Sequence, residues 1–110
     1  MPVRYFKTIS MSVSASGTNE DSWTPETDVR ISKIYVIGQG SVDLSQVDLY
    51  IEVAGDVKTK ALVPAEIFSA DNPTLPMLDW SITKGSKIYV KATNNSSSDY
   101  TIRIVFEVIT

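Results

Sequence analysis

A chain of 110 residues is the usual size for one domain and too short for two independent cores, and its 43% hydrophobic and 21% charged residues are the balance of a folded protein. Ten basic residues against thirteen acidic ones leave a formal charge of −3, with no basic cluster beyond the pairs Lys58/Lys60 and Lys84/Lys87, so the stripe that nucleic acid requires is missing. Cysteine and histidine are both absent, which excludes disulfides, thiolate chemistry, cysteine-based zinc sites and the imidazole that most often acts as general base or transition-metal ligand near neutral pH.

The N-terminus reads Met1-Pro2-Val3-Arg4-Tyr5-Phe6-Lys7, without an apolar stretch before a small-residue cleavage site. The expectation is a protein made in the cytoplasm without a signal peptide, and no run of eighteen apolar residues offers a membrane span. From Val3 the odd positions are Val3, Tyr5, Lys7, Ile9, Met11, Val13 and Ala15, while the even positions from Thr8 to Ser14 are Thr or Ser. Such period-two alternation predicts a long half-buried strand. The cluster Ser16-Gly17-Thr18-Asn19-Glu20-Asp21-Ser22 reads as a turn, and Trp23-Thr24-Pro25 as at most a short or edge element, because proline cannot donate to a ladder.

After a loop to Asp28, Val29 and Ile31 alternate on odd positions and Ile34 and Val36 on even ones. The change of phase predicts a bulge near Ser32-Lys33, and apolar character on both faces from Ile34 to Ile37 predicts a central or covered strand. Val47, Leu49, Ile51 and Val53 alternate cleanly, and Gly55-Asp56 predicts a two-residue hairpin turn into a strand over 57–63. Residues 64–76, with prolines at both ends and Asp71-Asn72-Pro73 inside, read as a long connection between sheets, with one helical turn at Ala65-Glu66-Ile67-Phe68. Leu78, Trp80 and Ile82 predict a strand, as do Ile88, Val90 and Ala92, with Tyr89 on the opposite face. After a polar loop over 94–99, the last strand puts Tyr100, Ile102, Ile104, Phe106 and Val108 on one face and Thr101, Arg103, Val105, Glu107 and Ile109 on the other. The whole chain, 1–110, is thus expected to be one all-β domain: an antiparallel, jelly-roll-like β-sandwich of seven or eight strands, with the first and last strands side by side.

Few residues carry chemistry. Carboxylates such as Asp43/Asp48 or Glu20/Asp21 have the groups that glycoside hydrolysis needs, and Asn19-Glu20-Asp21, Asp71-Asn72 and the 94–99 loop have oxygens suited to a hard cation. Surface charge and turn chemistry account for all of them, so no catalytic, metal or cofactor residue is assigned and no enzyme is expected. Trp80 is in phase with Leu78 and Ile82 and belongs to a core. Trp23, beside proline, is free to join Tyr89 as an aromatic contact for a sugar ring, which makes a carbohydrate-binding module the alternative function. Asn94-Asn95-Ser96-Ser97 holds two overlapping glycosylation sequons, and without a leader the segment reads as a loop. The Thr8, Ser10, Ser12 and Ser14 row reads as a solvent face.

The richest signal is a surplus of apolar side chains on second faces: Phe6, Tyr35, Ile37, Val105 and Ile109. A lone sandwich needs one buried face per sheet, so these five are assigned to contact with another copy or another structural protein. Three features together, the start at Met1-Pro2, the strand over 88–93 running into Asn94-Asn95-Ser96 and the terminal strand over 100–109, make the chain resemble small single jelly-roll structural proteins of viruses and phages, such as minor capsid, turret or decoration subunits. That resemblance implies a non-enzymatic, self-assembling subunit at the surface of a virion or similar particle.

Overall fold

The alternating segments form strands whose apolar phase turns inward, except that in the first one the inward row begins only at Ile9, Val3 and Tyr5 being exposed, and that Leu78 precedes its strand. In the computed structural model, which describes residues 3–59, 62–73, 75 and 77–110, nine strands are formed: β1 (Arg4–Val13), β2 (Thr18–Trp23), β3 (Val29–Gly38), β4 (Val47–Val53), β5 (Asp56–Val57), β6 (Val63–Pro64), β7 (Trp80–Ile82), β8 (Ile88–Asn94) and β9 (Tyr100–Ile109). Met1-Pro2, Lys60 and Pro76 of the sequence reading lie outside the described residues. The count exceeds seven or eight because the segment after β4 yields two two-residue pieces, β5 and β6, where one strand over 57–63 was expected.

Two antiparallel sheets result. Sheet A has the order β1-β9-β3-β7 and sheet B the order β2-β8-β4-β5, with β6 also on β4. The ladder partners are nested: β1 with β9, β2 with β8, β3 with β7, β4 with β5. A single long antiparallel hairpin, folded at the β4–β5 turn and rolled up so that successive strands alternate between sheets, has this connectivity; it is the jelly roll. The first and last strands pair along ten residues, from Arg4 opposite Ile109 to Val13 opposite Tyr100.

Between the sheets lies one core cluster. Sheet A contributes Ile9, Met11, Val13, Ile31, Ile34, Val36, Ile102, Ile104, Phe106 and Val108; sheet B contributes Val47, Leu49, Ile51, Val53, Ile88, Val90 and Ala92. The bulge falls where the phase change predicts it, between Ile31 and Lys33 opposite Glu107, and it keeps both Ile31 and Ile34 in the core. Trp80 packs against this cluster, and the helical turn Ala65–Phe68, at the start of the connection from β6 to β7, buries Ala65 and Phe68 in it.

Two local expectations are corrected. Residues 18–22 are strand rather than turn: the turn is completed by Gly17, whose N–H bonds Ser14 O at 2.8 Å, and β2 then runs along β8 from Thr18 to Trp23. An all-polar segment qualifies because an edge strand needs only a backbone partner on one side, and Asn19 reaches across to Ser12 O of β1 at 2.9 Å. The β4–β5 hairpin turns on Ala54-Gly55, one residue earlier than expected. Both central residues have positive φ, 52° and 88°, the pattern of a type I′ turn, and Val53 pairs with Asp56.

Candidate functional site

Each sheet leaves one face outward, and the two faces differ in chemistry. On sheet A the registers of β1, β9 and β3 build rows of three outward side chains: Arg4, Ile109, Arg30; then Phe6, Glu107, Lys33; then Thr8, Val105, Tyr35; then Ser10, Arg103, Ile37. Phe6, Tyr35, Ile37, Val105 and Ile109, which the sequence marks as surplus, therefore stand on one face of one sheet. Phe6 is 60% exposed and Ile37 43%; Tyr35, Val105 and Ile109 are half-buried. Met77, 75% exposed, lines a shallow groove beside them with Arg4, Arg30 and Ile109.

Charge on this face has one dominant sign. All three arginines of the chain, Arg4, Arg30 and Arg103, point outward from sheet A together with Lys33. Against them stand two carboxylates. Glu107 is buried although it lies on the outward side: its Oε1 accepts the Ser32 hydroxyl at 2.8 Å and lies 3.7 Å from Arg4 Nε. Exposed Asp79 sits 3.3 Å from Arg30 Nε. Among the described residues Lys33 and Arg103 make no ion pair.

Sheet B presents a tyrosine and carboxylate face. Its outward rows are Thr18, Thr93, Asp48; then Glu20, Lys91, Tyr50; then Ser22, Tyr89, Glu52. The Tyr50 hydroxyl donates to Glu52 Oε1 at 2.6 Å, and the Tyr89 hydroxyl donates to Glu20. Those hydrogen bonds to carboxylates favour the neutral phenols. Tyr50 is raised above its ordinary range and Tyr89 is pushed up to about 12, the bond to Glu20 being the largest cause. The two rings meet edge to face, with centroids 6.2 Å apart at 75°, and Lys91 Nζ stands 5.5 Å from the centre of the Tyr50 ring. Asp48 accepts from the Asn95 amide at 3.0 Å. Within these three rows three carboxylates thus stand with the ammonium of Lys91, and Lys87 follows one step beyond Tyr89 on the same side of β8.

The pairing of Trp23 with Tyr89 is corrected by this geometry. Neighbouring positions on β2 and β8 point to opposite sides: Tyr89 is outward opposite Ser22, whereas Trp23 is inward opposite Ile88, its ring stacked on Phe106 at 6.4 Å and 23°. Tyr89 has Tyr50 as its aromatic neighbour instead, a residue the sequence reading passed over because its partner lies on another strand. The perpendicular rings and the cation over Tyr50 leave no flat pair of aromatic faces for a pyranose to stack on.

Other polar clusters serve the chain itself. Asp43 accepts from Ser45 N at 3.0 Å and Ser45 Oγ at 2.6 Å, which holds its carboxyl below the usual range and caps the turn Leu44–Gln46. Asp21 accepts from Ser22 N, and the Asn72 amide donates to Ile67 O. Asn94 is completely buried: its amide nitrogen donates to Val13 O and Ser98 O, and its oxygen accepts from the Ser96 N–H and hydroxyl. Of the two sequon asparagines only Asn95 is exposed.

No protein-family model matches the chain, and no curated protein matches it.

Proposed function

We propose that this protein is a non-enzymatic structural subunit that assembles with copies of itself, on a virion or comparable particle, through the outer face of sheet A. One observation carries the reading: Phe6, Tyr35, Ile37, Val105 and Ile109, drawn from three strands up to 103 residues apart in sequence, collect on a single outward face. Apolar side chains gathered in one patch mark an association surface more strongly than the same residues scattered. The jelly roll supports the particle setting, since capsid subunits are among its commonest users; it supports it only as context, because lectins use the same fold.

The size of the face sets the expected strength. Three ten-residue strands, each about 33 Å long at about 4.8 Å spacing, give roughly 500 Å² of projected surface, below the roughly 800 Å² per partner of a free-standing complex. Association through it is therefore concentration-dependent and gains from repetition around a particle. Sedimentation equilibrium over a concentration series tests this. The wild-type chain associates as concentration rises, and Phe6→Ser/Ile37→Ser, with an unchanged circular-dichroism spectrum, stays monomeric. A wild-type chain that is monomeric at every concentration overturns the proposal.

A further inference from the structure

Given that self-assembly reading, we infer that the outer face of sheet A docks on the outer face of sheet B of a second copy, a head-to-tail contact between unlike surfaces. The alternative, two A faces meeting across a two-fold axis, sets Arg4, Arg30, Lys33 and Arg103 of one copy against the same four cations of the other. The two carboxylates available on that face are already engaged, Glu107 by Arg4 and Ser32, Asp79 by Arg30. Like charges facing each other in a closing interface are strongly unfavourable. The B face has the opposite balance. Glu20, Asp48 and Glu52 stand there with the ammonium of Lys91, and with Lys87 one step beyond on the same side of β8, so carboxylates still outnumber cations; among the described residues none of the three carboxylates is in an ion pair, Glu20 and Glu52 accepting hydrogen bonds from phenols and Asp48 from an amide.

Chemistry matches as well as sign. The unpaired cations Lys33 and Arg103 flank the row of Val105 and Tyr35 on the A face, and on the B face carboxylates flank the Tyr50 and Tyr89 rings. Arginine forks bind carboxylates in two-point geometry and lie flat on aromatic rings, so one face supplies the groups that the other recognises. Because each copy carries both faces, a contact of this kind leaves an A face free at one end and a B face free at the other. It propagates into rings or open arrays rather than stopping at a dimer.

Charge reversal on each face, separately and together, is the test. Lys33→Glu/Arg103→Glu inverts the A face and Glu20→Lys/Glu52→Lys inverts the B face; all four side chains point away from the core, and circular dichroism checks that each protein folds. In sedimentation velocity the wild-type chain associates, each double variant weakens association by about tenfold or more, and the quadruple variant, with both faces inverted, recovers it. Should a charge-reversed protein misfold, the neutral pairs Lys33→Ala/Arg103→Ala and Glu20→Gln/Glu52→Gln take its place, each expected to weaken association. An A-face variant that weakens association while the B-face variant leaves it unchanged overturns the inference and returns the A face to a like-with-like contact. Loss in both without recovery in the quadruple variant also overturns it. A wild-type chain that never associates refutes the assembly reading itself, a result distinct from either of these.

Discussion

Asn94 shows how a residue with a familiar surface motif can be structural. It ends β8 with no exposed surface, and its four hydrogen bonds tie the end of β1, at Val13, to the 95–99 loop. Asn94→Ala removes the buried amide donor to the Val13 carbonyl and the oxygen that accepts the Ser96 N–H, and leaves Ser98 O with the Ser96 hydroxyl alone. The substitution is expected to cost about 2–3 kcal/mol, read from the midpoint of urea unfolding. Tyr89 gives a pH signature. Its phenol, pushed up to about 12 by Glu20, keeps its proton in the folded chain between about 10 and 12, where the unfolded chain loses it. The sign follows: the stabilising contribution is fully present below pH 10 and declines as pH rises toward 12. Phenolate absorbance during an alkaline titration should show two tyrosines, Tyr50 and Tyr89, ionising above the ordinary range, and Glu20→Gln should return Tyr89 toward it.

Among the elements, the tight turn at the crest of the rolled hairpin is the clearest local strain. Ala54 holds φ at 52°, a conformation that asparagine and glycine adopt at less cost than alanine. Ala54→Asn should stabilise the protein by about 0.5–1 kcal/mol in urea unfolding, while Gly55→Ala, at φ 88°, should destabilise it. The strands that alternate were legible before any fold was known: β1, β4, β8 and β9 follow from period-two burial, and the bulge beside Ser32 from a break in that period. The polar strand β2 was not, because an edge strand held by backbone bonds and by Asn19 carries no apolar rhythm to read. The split of residues 57–63 into two short pieces was equally invisible, since Val57 is exposed and Val63 only half-buried.

For the whole molecule, the outward faces are products of register across long separations. The alternation of β9 already put Arg103, Val105, Glu107 and Ile109 on one side, but only the pairing of β1 and β3 on either side of β9 brings Phe6, Tyr35, Ile37 and three arginines to the same surface. The sheet B face is hidden in the same way, because Tyr50 and Tyr89 meet only through the β4–β8 ladder, and the phase of Trp23 depends on where β2 begins. Core alternation is local and readable; which outward rows combine is a property of the rolled hairpin. The resulting molecule has a cationic, apolar face on one sheet and an anionic, aromatic face on the other, with one core between them.

The claim that these faces are covered by other copies is tested most directly by hydroxyl-radical footprinting with mass spectrometry over a range of protein concentrations. Oxidation of Phe6 and Tyr35 should fall as concentration rises, in parallel with Tyr50 and Tyr89, while Tyr5, exposed on the opposite side of β1 from Phe6, reacts at a constant rate. Phe6 and Tyr35 reacting equally at every concentration would contradict the account.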